Sequence, residues 1–109
     1  MRNKQKKVQL RDVQDVIDVI GVRWRGAVLA SLCDSDKRFN QLGRDLGPIT
    51  PRTLTKELRY LEASKLVQQE KEGASVTYGL TPHGRSLEPL IGAIAAWGQK
   101  HRKVVLAKS

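Results

Sequence analysis

A single cysteine, Cys33, stands in the 109-residue chain, so no disulfide can form within it. That fits a reducing cytosol and predicts a cytoplasmic protein. Aromatic residues are scarce at 5% of the chain. Proteins that hold single strands by stacking bases on exposed rings usually carry more. No apolar run approaches the ~20 residues that span a bilayer. The basic N-terminus is not followed by an apolar secretory core, so neither a membrane span nor a signal peptide is expected. Acids are few as well: 11 Asp plus Glu against 20 Lys plus Arg, a net charge of +9. Such an excess favours an anionic partner, nucleic acid first and an acidic membrane surface second.

Catalytic equipment is also missing. The chain has no glycine-rich phosphate loop, no Ser or Cys nucleophile beside a plausible base, and no paired carboxylates in an apolar setting. An enzyme is therefore not expected. His83 and His101 stand apart, with no second ligand at metal spacing. No metal and no cofactor is implied. Cys33 lies between Leu32 and Asp34. It reads as a small buried hydrophobe, because neighbouring aspartates disfavour a thiolate. Asp12, Asp15 and Asp18 read as the solvated side of a first helix. Arg44 and Arg85 read as surface charges.

The most informative stretch that is present runs from Thr50 to Glu62. Thr50 can cap a helix and Pro51 suits its first position, where a missing N–H costs nothing. At about 100° per residue, Leu54, Leu58 and Leu61 share one face. Arg52, Lys56 and Arg59 fall nearly opposite. A helix that buries leucines and shows a row of long cations is suited to an anionic groove. The major groove of DNA is wide enough to admit it. The plainer alternative is an amphipathic helix whose cations are merely solvated.

Around this helix the chain reads as one domain of order helix, helix, short strand, helix, helix, hairpin, helix. Residues 1–9 form a basic arm with Arg2, Lys4, Lys6 and Lys7, residues 10–103 the domain, and residues 104–109 a basic tail with Lys108. Helix 1 starts at Leu10, carries Val13, Val16, Ile17 and Ile20, and ends near Gly21. Helix 2 runs from about Arg23 to Cys33 and offers Trp24, Ala27, Val28 and Leu32 to a core. Lys37 to Phe39 reads as a short strand. Asn40 caps helix 3, which Gly47-Pro48 stops. The helix at 50–65 follows, then strands from Leu66 to Lys71 and from Val76 to Leu80 about a turn at Glu72 to Ser75. A last helix is predicted from about Pro82 to Lys103. Two helices joined by a short Gly-Pro turn and followed directly by a hairpin suggest a winged helix-turn-helix, mainly α with a small β element. The last helix has an apolar face of Leu87, Leu90, Ile91, Ile94 and Trp97. That face either packs on its own core or, with Val13, Val16 and Ile17 of helix 1, forms a dimer contact; its length favours the dimer.

Several short pieces follow one another along the chain: Val19-Ile20-Gly21 with Trp24; Arg38-Phe39-Asn40 with Leu42; and Ile49-Thr50 with Arg52, Leu54-Thr55, Leu58-Arg59 and Leu61-Glu62. Then come Leu66-Val67, Tyr78, Leu80-Thr81, Gly84, Leu87 and Trp97-Gly98. In these pieces, their order and their spacing the chain resembles HxlR-type winged helix-turn-helix transcription regulators, relatives of the MarR group. The match spans about residues 10–98. It implies a homodimer held by the first and last helices, helix 50–65 in the major groove, and a wing reaching toward the flanking minor groove. The DNA-facing residues it implies are Thr50, Arg52, Thr53, Thr55, Lys56 and Arg59, with Arg38 at a phosphate and Lys71 on the wing. Two departures bear on function. Many members carry a cysteine near the start of helix 1, used by some as a redox sensor; Arg11 stands at about that place here. The wing is shorter and lacks the family's Pro-Pro segment, and Glu70 and Glu72 flank Lys71, so the wing is expected to add little.

The expectation is thus a sequence-specific double-stranded DNA-binding transcriptional regulator, a repressor or dual-acting switch. It would act as a homodimer on a pseudo-palindromic operator, its two reading helices about 34 Å apart. The alternatives are a non-specific architectural DNA binder and a winged-helix module that binds protein instead. The sequence announces no effector.

Overall fold

The structure is a computed structural model, and residues 8–107 are described. Most of the basic arm and Lys108 therefore lie outside the described residues. Among the described residues six helices and one hairpin follow in order: α1 Leu10–Ile20, α2 Arg25–Asp34, α3 Phe39–Leu46, α4 Pro51–Ala63, β1 Val67–Glu72, β2 Ser75–Leu80, α5 Pro82–Arg85 and α6 Glu88–Leu106. This is the expected winged helix-turn-helix, with α3 and α4 as the helix pair and β1–β2 as the wing.

The core is a leucine cluster gathered around α2. Val28, Leu29 and Leu32 of α2 meet Leu42 of α3 and Leu54, Leu58 and Leu61 of α4, all essentially without solvent contact. Each such side chain contributes about 1.5–3 kcal/mol by leaving water. Leu29, which the helical pattern did not assign to the core, is as fully buried as the rest. Trp24 is half-buried against the same cluster, but it precedes α2, which begins at Arg25 rather than Arg23.

Helix α4 forms as its sequence dictates. The Thr50 hydroxyl accepts from the Thr53 amide at 3.1 Å, and Pro51 opens the first turn. Its far end closes with paired bonds, Lys65 N to Glu62 O at 3.0 Å and Leu66 N to Leu61 O at 2.9 Å. This is a Schellman closure, with Lys65 in the left-handed region at φ 65°. Leu66 and Leu61 both enter the core, which fastens α4 to the start of the wing.

Three local expectations are corrected. The strand expected at Lys37 to Phe39 reduces to a single bridge, with Lys37 and Tyr78 exchanging bonds of 2.9 and 2.7 Å. The chain then turns into α3 at Phe39, so Asn40 lies inside that helix and does not cap it. Arg38 holds the cap position, where its backbone N–H donates to the Gln41 side chain at 2.9 Å. The last helix is two: α5 stops at Arg85 and α6 begins at Glu88. Pro89 is the cause, since it has no N–H for the Arg85 carbonyl and its ring would clash there, whereas it is tolerated in the first turn of a new helix. Helix α6 then continues through Leu106 rather than ending at Lys103.

The hairpin is antiparallel, with Val67 opposite Leu80 and Glu72 opposite Ser75, leaving Gly73-Ala74 as its loop. Gly73 takes φ 61°, as a tight hairpin turn opening on glycine requires. At the base of the wing the Thr81 hydroxyl donates to the Lys65 carbonyl at 2.7 Å and accepts from the Gly84 amide at 2.9 Å. Gly84 lies so close beneath Leu66 that a Cβ there would strike the Leu66 carbonyl oxygen. This contact gives Thr81 and Gly84 a structural role at the joint between the wing and α5. No helix among the described residues is long and apolar enough to cross a membrane.

Candidate nucleic-acid interface

Burial of Leu54, Leu58 and Leu61 rotates the opposite side of α4 outward. Arg52, Lys56 and Arg59 are exposed along it, and among the described residues no acid pairs with any of them. Thr53 and Thr55 are half-buried on the two flanks of this row. Thr50 is exposed, but its hydroxyl is occupied in capping and also lies 3.1 Å from the Thr53 hydroxyl. The three cations and the N-terminal turn of α4 therefore present one positive edge.

Arg38 and Lys71, the two sites expected outside α4, are both exposed. The structure places them in different electrostatic settings. Side chains alternate across a strand, so Glu70 and Glu72 share one face of the wing while Lys71 projects from the other. Arg38 borders a recess lined by Glu70, Glu72, Ser75 and Thr77. The carboxylates expected to oppose Lys71 thus stand beside Arg38 instead.

Two features escaped the sequence reading. Glu57 is the one buried charged side chain among the described residues, at 3% exposure. It accepts from Arg25 Nε at 2.5 Å. The signal was legible: on the helical wheel Glu57 lies next to Leu61, where a carboxylate requires a cation. Its partner was not, because Arg25 is distant in sequence. The second feature is Lys37, whose ammonium donates to the Ser31 carbonyl at 2.8 Å and to Asp45 at 2.7 Å, tying the end of α2 to the end of α3. These bonds from Lys37, then that from Ser31, hold the Asp45 carboxyl below its usual range.

The expected dimer residues divide. Val13, Val16 and Ile17 of α1 and Leu90, Ile94 and Trp97 of α6 are exposed, Trp97 to 61%. Ile91 instead packs, half-buried, on the protomer's own core. Neither α1 nor α6 contains a buried residue. Trp97 stacks on His101 one turn later, at 4.7 Å between ring centroids. Cys33 is half-buried, and burial, then the charge of Glu88, pushes its thiol up.

A cationic helix held over a leucine core and followed by a two-stranded wing defines a winged helix-turn-helix DNA-binding protein. Residues 19–105 match the family described as HxlR-like helix-turn-helix, and the chain belongs to that family. It is 40% identical over 96 residues to the HTH-type transcriptional regulator YybR of Bacillus subtilis (strain 168), covering 85% of this chain and 77% of that protein. It is 36% identical over 95 residues to an HTH-type transcriptional regulator of Methanothermobacter thermautotrophicus, covering 84% and 72%. Among solved structures it superposes on the redox regulator HypR in its reduced form with a TM-score of 0.81, at 39% identity, covering 86% of this chain and 96% of that one. The chain is a transcriptional regulator with a helix-turn-helix DNA-binding domain, not an enzyme.

Proposed function

We propose that the chain is a sequence-specific regulator that binds a pseudo-palindromic operator as a homodimer in the cytoplasm, with α4 in the major groove. The observation that carries this reading is the row of Arg52, Lys56 and Arg59, exposed on the side of α4 opposite its buried leucines and, among the described residues, paired with no acid. Arginine can take a guanine edge bidentately, while lysine more often meets phosphate and adds affinity without sequence information. Thr53, Thr55 and the capped turn at Thr50 flank these contacts, Arg38 approaches a neighbouring phosphate, and Lys71 reaches from the wing. The dimer reading is supported by the apolar residues that α1 and α6 leave in water: Val13, Val16, Ile17, Leu90, Ile94 and Trp97. Ile91 supports that face from the core side. One structural relative is a redox regulator. Arg11 stands at about the place of the family's sensing cysteine, so that sensing mechanism is not carried over to this chain.

The test is selection of bound duplexes from a random pool at about 150 mM salt, where purely electrostatic binding is already weakened. The expected result is an inverted repeat with half-sites about one turn apart. Sequence-blind recovery would leave an architectural DNA binder, and no recovery a protein-interaction module.

A further inference from the structure

Arg25 opens α2, yet its side chain makes hydrogen bonds and a ring contact with two other helices. Nε donates to Glu57 of α4 at 2.5 Å. Nη1 donates to the backbone carbonyl of Asp18 in α1 at 2.8 Å. The guanidinium lies over the Tyr60 ring of α4, 3.6 Å from its centroid. The pair is sheltered, with side-chain exposures of 16% for Arg25 and 4% for Glu57. Asp18 lies in the last turn of α1, where carbonyls have no partner within the helix and a cation is favoured. One planar, rigid group thus satisfies the end of α1 and the flank of α4 together.

The arrangement adds more geometry than energy. A sheltered ion pair returns little net stability over an apolar pair of similar volume. A guanidinium fork, however, has fixed donor directions, so it constrains the angle between the groups it joins as an ammonium cannot. Both joined groups matter to the function proposed above. The apolar residues of α1 supply part of the dimer face, and α4 carries the cations. Glu57 lies on the side of α4 turned from Arg52 and Arg59, and Tyr60 stands between it and Lys56; Arg25 is 16% exposed and meets these two residues from α2, so it backs the edge of the cation row rather than standing in it.

We infer that Arg25 is the positioning residue that sets the angle of α4 against α1, and so determines which half-site spacing the dimer accepts rather than which bases it reads. This rests on the dimeric regulator reading. A small rotation of α4 relative to α1 is doubled across a two-fold axis. Rigid DNA admits both reading helices only at one separation and phase.

The experiment measures binding to inverted repeats that share the selected half-site but differ by one base pair in spacer, longer or shorter, and to a single half-site. Two variants are compared with the natural chain. Arg25→Lys keeps a cation for Glu57 but loses the fork to Asp18 and the stacking on Tyr60. The double change Arg25→Met with Glu57→Met removes both charges, so that no buried carboxylate is orphaned and the fold is kept. Circular dichroism and mass in solution verify folding and dimerisation. The natural chain should prefer one spacing by about 3- to 30-fold. Both variants should lose most of that preference while keeping half-site affinity and base preference. Folded, dimeric variants that retain the natural spacing preference overturn the assignment. So does an altered base preference at the single half-site, because Arg25 would then shape the reading surface itself. A natural chain that selects no half-site fails the regulator reading, which distinguishes that failure from failure of the Arg25 assignment alone.

Discussion

At the scale of single residues, the cations of α4 should separate by chemistry. Arg52→Ala is expected to cost about 1–3 kcal/mol of operator binding and to relax preference at one base position. Lys56→Ala should weaken all sequences alike and lower the salt slope by about 1. Titrations of operator and scrambled duplex at several salt concentrations read both effects. Asp45 offers a pH test. Hydrogen bonds from Lys37 and then Ser31 depress its folded-state pKa below the unfolded value. The stability they contribute is therefore present above the ordinary carboxylate range and is lost as pH falls through it. The melting temperature of the natural chain should exceed that of Asp45→Asn at neutral pH, and the gap should close below about pH 4. Residues of this kind differ in how far the sequence exposes them. Arg52 and Lys56 follow from a helical wheel, since only local periodicity is involved. The Lys37–Asp45 bond does not, since it needs the ends of α2 and α3 to be near one another.

At the scale of elements, the joint between α4, the wing and α5 is held by a close backbone approach. Gly84→Ala puts a methyl against the Leu66 carbonyl oxygen. Overpacking of this kind costs about 1–3 kcal/mol, to be read as a lower midpoint in urea. The wing makes the second prediction. With Glu70 and Glu72 on the face that meets Arg38, their carboxylates oppose an approaching phosphate backbone. Replacing both by Gln should strengthen DNA binding at low salt, and the gain should fade as salt screens it. Unchanged affinity at low salt would mean that this face of the wing stays away from DNA. Element boundaries were legible where local chemistry marks them: Thr50-Pro51 for the start of α4 and Gly73 for the hairpin turn. They were missed where a partner decides them. Lys37 bridges Tyr78 because β2 passes beside it, and Phe39 joins a helix because Gln41 closes on the Arg38 amide. The break before α6 is marked in the sequence by Pro89.

At the scale of the whole molecule, the shape is elongated, 57 × 40 × 21 Å, because α1 and α6 extend from the leucine core without burying a residue of their own. Exposed apolar side chains on two such helices are costly in an isolated protomer, and covering them is the force that would drive pairing. Ile94→Glu is expected to give a monomer in sedimentation. It should lower affinity for the full inverted repeat by about 100-fold, while binding to a single half-site changes little. A variant that stays dimeric would place the interface elsewhere on the molecule.

Sequence alone determined the class of this protein and the cationic face of α4. Charge balance, the capped amphipathic helix at Thr50 to Glu62 and the hairpin behind it are local patterns, each written within a few turns of chain. Tertiary structure decided what joins them. Arg25 meets Glu57 across 32 positions, Leu66 leaves no room above Gly84, and Glu70 and Glu72 face Arg38 rather than Lys71. These are consequences of packing: distant segments are brought to contact distance by the burial of the leucines, and no periodicity within either segment encodes the other's position.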